Sequence, residues 1–224
     1  MTEDKALVLL SGGQDSTTCL FWARKEFREV HAITFDYMQR HRTKELAAAD
    51  RIAQIAGVEH KILWIPTIKE IGDSALVGEG SVSEKREGSN LPSSFVPGRN
   101  IIFLTFAAMW AYKLKINSLV IGASQTDYSG YPDCRQDFIY VMNKALWEGM
   151  GNRDLEIHTP LMNLAKWQEV LLAKILFGCW EALAYSHTCY EGEYPPCGKC
   201  PACILRAKGF EEAGEVDPLL MRKE

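Results

Sequence analysis

The residues best suited to chemistry stand near the start of the chain, where the apolar run Leu7-Val-Leu-Leu10 ends in Ser11-Gly-Gly-Gln-Asp-Ser-Thr-Thr18. Gly12 and Gly13 carry no Cβ, so the backbone can turn sharply and come close to a ligand. A helix opening directly after them would aim free N–H groups and its positive dipole end at an anion. Ser11, Ser16, Thr17 and Thr18 add hydroxyl donors, and Asp15 stands where a phosphate-bound cation would need a carboxylate. The loop lacks both the Lys-Ser/Thr pair of a Walker A sequence and the three spaced glycines of a dinucleotide fingerprint. Its layout is that of a phosphate cradle; the plain alternative is a strand–turn–helix with no ligand.

A second constellation lies near the other end. Cys189, Cys197, Cys200 and Cys203 are spaced Cys-x7-Cys-x2-Cys-x2-Cys, with Gly198 loosening the turn and Pro195, Pro196 and Pro201 stiffening the approach. Four thiolates would complete the tetrahedral shell of one Zn²⁺ and leave no position for water, so such a site is structural. An iron–sulfur cluster uses similar runs, and a set of unmetallated thiols is the third reading. The other three of the seven cysteines, Cys19, Cys134 and Cys179, read as small buried residues, and only Cys134, beside charged Asp133 and Arg135, stands near enough to a motif for another role.

The elements that must position these groups follow from the hydrophobic pattern. Ala6–Leu10, Val30–Phe35, His60–Ile65 and Ser118–Ile121 are short and apolar, as strands of a buried parallel sheet should be. Residues Thr17–Phe27, Thr43–Ala56 and Asn100–Lys115 carry apolar side chains at three and four spacing, and Gly57 stands where a helix C-cap belongs. Two further helices are expected over Arg135–Trp147 and Lys166–Phe177. Strand alternating with helix predicts a doubly wound α/β fold with ligands at the carboxyl ends of the strands, where the Ser11–Ser16 loop falls. Between Gly72 and Gly98 the pattern dissolves into Gly, Ser, Pro, Glu and Lys, which reads as a lid or as a solvated insertion. The expected division is one α/β domain over 1–185 and a small cysteine-bearing segment over 186–224.

At 224 residues and 47% hydrophobic, the chain can bury a full core. A net charge of −4 leaves no electrostatic footprint for a stable nucleic-acid partner. With no apolar run long enough to span a bilayer, neither a membrane partner nor an export signal is expected, and the expected location is the cytoplasm.

Motifs recur in order along the chain. The Ser11–Ser16 loop resembles the Ser-Gly-Gly-x-Asp-Ser PP-loop of ATP pyrophosphatases. After it come Phe35-Asp-Tyr-Met-Gln-Arg-His41, Phe95-Val-Pro-Gly-Arg-Asn100, Asp127-Tyr-Ser-Gly-Tyr-Pro-Asp-Cys-Arg135, Thr159-Pro-Leu-Met162 and the cysteine run. Over nearly its full length the sequence resembles the 7-cyano-7-deazaguanine (preQ0) synthase family of queuosine biosynthesis. One departure stands at Met38, where the family motif has Gly.

The resemblance implies an ATP-dependent carbon–nitrogen ligase. It would convert 7-carboxy-7-deazaguanine and ammonia into 7-cyano-7-deazaguanine through an adenylated acid and an adenylated amide. Asp15, Lys166 and Arg99 would carry catalysis, with Mg²⁺ at Asp15 and Lys166 neutralising the departing pyrophosphate. Leu10, Ser11, Gly12, Gly13, Gln14, Asp15, Ser16, Thr17, Thr18, Cys19 and Leu20 would hold ATP, together with Gln39, Arg40 and His41. Arg99, Asn100, Asp127, Tyr128, Tyr131, Asp133 and Arg135 would hold the substrate. Structural zinc on Cys189, Cys197, Cys200 and Cys203, and a homodimer, are implied as well. Plainer readings stand beside these roles: a solvated helix lysine at Lys166, a surface turn at Ser129-Gly130, and a satisfied surface histidine at His41. His187, near the cysteine run, receives no catalytic role. The rival functions are a tRNA-thiolating enzyme with the same loop and a nucleotide-binding module without turnover.

Overall fold

A computed structural model describes residues 4–86, 88–126 and 130–222. Asp127 and Tyr128, two of the expected substrate residues, lie outside the described residues. Five strands, β1 (Lys5–Leu9), β2 (Glu29–Asp36), β3 (Glu59–Trp64), β4 (Ser118–Val120) and β5 (Glu156–His158), form one parallel sheet in the order β3-β2-β1-β4-β5. Successive side chains on a strand point to opposite faces. Accordingly Ala6, Val8 and Leu10 enter one core while Leu7 and Leu9 enter the other. A strand covered on both faces has no polar face to show, which is why residues 7–10 read as an unbroken apolar run.

Helices α1 (Gln14–Glu26) and α2 (Arg42–Ala56) bury Leu20, Phe21 and Ile52 on one face of the sheet, beside Val170 of α6 (Lys166–Ile175) and Leu183 of α7 (Cys179–Leu183). On the other face, α4 (Arg99–Leu114) and α5 (Gln136–Met150) bury Leu104, Ala108, Ala111, Ile139, Met142 and Leu146. The short α3 (Thr67–Ile71) follows β3. Gly57 ends α2 at φ 65°, the left-handed conformation expected of it. Several elements were not expected, β5 and α8 among them. The strand β5 has three residues, too few to show a period, and pairs with β4 from Ser118–Glu156 to Val120–His158. Helix α8 (Pro201–Ala213) begins with proline in its first turn and ends at Gly214 with φ 67°, ordinary start and stop signals that the cysteine spacing overshadowed.

Two stretches without regular structure still pack. Within 72–98, Leu76, Val77, Val82 and Val96 join the core beneath α4. The C-terminal residues return to the body: Phe210 of α8 enters the core of α1 and α6. Gly209 lies so close to α6 that a Cβ there would come within 2.4 Å of Lys166 Cγ. The latch for this return is Arg206, 3% exposed. Its Nε and Nη2 donate to the two oxygens of Asp217 at 2.6 and 2.8 Å, and Nη1 donates to Ser186 Oγ and Thr188 Oγ1, both at 2.8 Å. Asp217 in turn accepts from Leu219 N–H at 2.9 Å and caps α9 (Pro218–Met221). Because removing one partner strands a buried guanidinium, Asp217→Ala should lose about 3–5 kcal/mol of stability in urea unfolding. A loss below about 1 kcal/mol would show that the pair does not hold the C-terminal segment.

Candidate active site

The carboxyl ends of β1, β2 and β4 open into a cavity of about 750 Å³. It sits at the switch point of the sheet, where β1 is flanked by β2, which follows it directly, and by β4, which the chain reaches only after β3 at the far edge. Leu10, Ser11, Gly13, Gln14, Asp15 and Ser16 line one wall. Gly12 takes φ 83°, and a Cβ there would stand 2.7 Å from both Ala49 N and Glu45 O, so only glycine permits this turn against α2. Its carbonyl accepts the N–H of His187 at 2.8 Å. Ser16 Oγ accepts from Ser11 N–H at 3.1 Å and lies 3.0 Å from Ser11 Oγ. The N–H groups of Gln14, Asp15 and Ser16, in the first turn of α1, have no carbonyl to bond within their helix. The loop is therefore shaped and polarised for an anion. The expected nucleotide run divides at this point. Thr17 and Thr18 donate their hydroxyls back to Gly13 O at 2.7 Å and Gln14 O at 3.0 Å, while Cys19 and Leu20 face the core.

Opposite the loop stands a charge triad. Lys166 Nζ, at the start of α6, donates to Asp15 Oδ1 at 2.8 Å and to Glu169 Oε2 at 2.6 Å. Lys166 and Glu169 have side chains 6% and 0% exposed, whereas Asp15 keeps 34% of its surface. Lys166 is thus no solvated helix lysine: it is fixed at the cavity wall. Asp15 is the partly open one of the two carboxylates, a suitable contact for a hard cation.

The remaining walls are aromatic and polar. Tyr37, Phe103, Tyr131 and Tyr190 line the cavity with Arg99, His41 and Glu45. The guanidinium of Arg99 lies 5.8 Å from the Tyr131 ring, and Ser94 Oγ lies 2.7 Å from Tyr131 Oη. Glu45 accepts from Gln39 Nε2 at 2.6 Å and stands 3.4 Å from His41 Nε2. Burial pushes the Glu45 carboxyl up to about 6 and the Tyr37 phenol up to about 12. Burial, reinforced by Arg99, pushes His41 down to about 4. Near neutral pH the wall therefore holds a carboxylate, a neutral imidazole and neutral phenols around one guanidinium. Cys134 also lines the cavity, but burial beside Asp133 raises its thiol to about 12, far from thiolate chemistry.

Other expected site residues take supporting places. Gln39 binds Tyr37 N–H and Glu45, and Arg40 reaches Gly80 O at 2.8 Å and Glu191 at 3.1 Å, tying 72–98 to the C-terminal segment. Asn100 donates its side-chain amide to Asp133 O at 3.0 Å and its N–H to Asp133 Oδ2 at 3.4 Å, so Asp133 caps α4. Arg135 is exposed at the N-cap of α5, outside the cavity lining. Met38 takes φ 65°, which accounts for glycine in the family motif; a Cβ in this conformation costs about 1–2 kcal/mol. Glu45 and Glu169 carried a signal that went unread. Each is a carboxylate on the buried stripe of an amphipathic helix, in register with Ala49 and Ile52, and with Val170 and Ala173.

The sulfur atoms of Cys189, Cys197, Cys200 and Cys203 all lie within 4.8 Å of one another. Backbone N–H groups of Lys199 and Cys200 both donate to Cys197 Sγ at 3.4 Å. Four convergent sulfurs with N–H groups turned toward one of them suit a tetrahedral metal ion. The cluster borders the cavity, since Lys199, Pro201, Ala202, Ile204, Leu205 and Lys208 around the start of α8 form part of its wall. Among the described residues, no helix is long and apolar enough to cross a membrane.

Comparison with known proteins agrees with this arrangement. The family model described as Queuosine biosynthesis protein QueC matches residues 5–214. A 7-cyano-7-deazaguanine synthase of Chromobacterium violaceum is 54% identical over 225 residues, covering 99% of this chain and 95% of the relative. Another, from Gloeobacter violaceus, is 47% identical and covers 98% of this chain and 97% of its own. The solved structure of NMN synthetase from Francisella tularensis shares the fold at a TM-score of 0.52, with 15% identity over 96% of this chain and 79% of the other. Family model, near relatives and cavity agree, and the chain belongs to the QueC family of queuosine biosynthesis proteins.

Proposed function

We propose that this chain is an ATP-dependent synthase that turns 7-carboxy-7-deazaguanine and ammonia into 7-cyano-7-deazaguanine at one site. The observation that carries the reading is the Asp15–Lys166 pair facing a glycine loop at the mouth of an aromatic cavity, in a chain about half identical to curated relatives bearing that name. In this reading ATP lies with its phosphates on the 11–16 loop. The substrate carboxylate oxygen attacks the α-phosphorus, pyrophosphate leaves, and an acyl adenylate forms. Ammonia attacks the acyl carbon and AMP departs with the C–O bond pair, giving the primary amide and a proton. The amide oxygen then attacks the α-phosphorus of a second ATP. Pyrophosphate and one N–H proton leave as that second adenylate forms, and loss of AMP with the remaining N–H proton gives the nitrile.

The protein's part is positioning and charge. Lys166, held by Asp15 and Glu169, sits beside the phosphate loop as a fixed cation that offsets charge gathering on the leaving pyrophosphate. Asp15 would hold Mg²⁺, which supplies further neutralisation of the phosphate oxygens. Arg99, in the cavity wall beside the Tyr131 ring, is available for substrate oxygens. The four cysteines would hold one structural Zn²⁺ and so keep α8 against the cavity. Residues 1–185 then form the ATP-binding domain and 186–224 the zinc-binding segment that walls it. Tyr112, Tyr140 and Val141, exposed on α4 and α5, offer the apolar surface a homodimer would use. Free ammonium is the simplest nitrogen source for a site of this kind.

The test is incubation with ATP, Mg²⁺, ammonium and 7-carboxy-7-deazaguanine, following acid, amide, nitrile and AMP together by mass spectrometry. Nitrile with AMP is the expected result; unchanged acid with no AMP would contradict the reading. Asp15→Asn should lower AMP formation by about 100-fold or more in protein that stays folded at the assay temperature, with Lys166 still paired to Glu169. Undiminished turnover would remove Asp15 from the metal site. Cys200→Ser should lose bound zinc, melt earlier and bind ATP less tightly; a zinc-free variant with the parent's melting temperature would refute the structural metal.

A further inference from the structure

The phosphate chemistry leaves one polar group of the cavity without a task. Glu45 lies on the buried stripe of α2, with its side chain 13% exposed and in the cavity wall. Oε2 is occupied by Gln39 Nε2 at 2.6 Å and faces His41 Nε2 at 3.4 Å, whereas Oε1 has no hydrogen-bond partner among the described residues. Oε1 keeps some accessible surface on a residue that lines the cavity, so the N–H groups of a ligand can donate to it. The rings of Tyr37, Tyr131 and Tyr190 line the same cavity, surfaces fit for a flat heterocycle.

The geometry points to Glu45 as the residue that reads the heterocycle, its open oxygen and its flank accepting from the adjacent ring N–H and exocyclic amino group of a guanine-like edge. This residue role rests on the function proposed above. The choice of ring follows from donor count. A deazaguanine presents two neighbouring N–H donors on that edge, both suited to a carboxylate. Adenine presents one donor beside a ring nitrogen lone pair, which a carboxylate repels. An ionised Glu45 in this recess therefore selects the substrate base and turns the adenine of ATP away. Burial alone makes the ionised state of Glu45 harder to reach, and two donated hydrogen bonds would offset that cost.

Glu45→Gln is nearly isosteric, so the test is direct binding and turnover with this variant. Calorimetry should show affinity for 7-carboxy-7-deazaguanine falling about 10- to 100-fold, with ATP affinity unchanged. The parent should discriminate strongly against the analogue that lacks the 2-amino group, and Glu45→Gln should lose most of that discrimination. Weakened ATP binding with unaltered acid binding would overturn the assignment and mark the recess as the adenine pocket. An equal loss for the acid and for its amino-free analogue would also overturn it, because a purely structural role predicts no change in their ratio. A parent that fails to bind the acid would defeat the proposed function itself. A parent that binds it normally, beside an unchanged Glu45→Gln, would defeat only the residue role.

Discussion

A buried ammonium held between two carboxylates is the constraint around which this molecule is arranged. Lys166 can meet Asp15 only if the start of α6 reaches the start of α1, and those two helices arise from distant parts of the chain. The parallel sheet supplies that meeting. It places the ends of β1 and β4 side by side, so that the loop after one and the segment following β5 converge on the same rim. Glu169, fully buried one helical turn from Lys166, fixes the ammonium from behind. Without it the lysine would keep the side-chain freedom and hydration that make exposed ion pairs weak. Breaking any member of such a buried set leaves an uncompensated charge, so the triad constrains the fold and the site together.

The C-terminal segment is bound to the same constraint. Gly209 makes room for the Lys166 stem, and a side chain there would push the ammonium off its partners. Arg206 fixes residues 186–188 by two hydroxyl contacts, and the N–H of His187, between those hydroxyls in sequence, closes on the carbonyl of Gly12. A path of direct hydrogen bonds thus runs from the α8–α9 ion pair to the turn of the anion loop. The sulfur cluster lies at the start of α8, so a bound metal would steady Lys199 just before the helix and Lys208 within it, both in the cavity wall.

Much of this was readable from the residues, and the exceptions have physical causes. The doubly wound sheet, the first four strands and the anion loop follow from apolar runs and from the glycine pair. Strand β5 escaped because three residues cannot display a period. The division within 10–20 escaped because a hydroxyl near a helix start can face a ligand or bond its own backbone, and Thr17 and Thr18 do the latter. Asn100 and Asp133, both expected at the substrate, bind each other at the start of α4, a pairing across 33 residues that no local pattern encodes, and Asn100 also lines the cavity. Glu45 and Glu169 are the instructive omissions: a carboxylate in register with alanines and isoleucines on a buried stripe is out of place unless something holds it. The left-handed backbone at Met38 resolves the one mismatch with the family motif, since the turn is kept and the side chain bears the cost.

The cavity separates its tasks by charge. Groups suited to an anion gather at the 11–16 loop and Lys166, while the neutral Tyr37 phenol and the neutral His41 imidazole line the cavity with Arg99 and Glu45. Such a division suits a reaction in which one substrate is a polyanion and the other a flat ring bearing a carboxylate. Isotope tracing tests the adenylation chemistry most directly. With the substrate carboxylate labelled with ¹⁸O on both oxygens, attack at the α-phosphorus predicts one labelled oxygen in each AMP released and none in the nitrile. Label found in inorganic phosphate, with AMP unlabelled, would contradict adenylation and the site arrangement built on it.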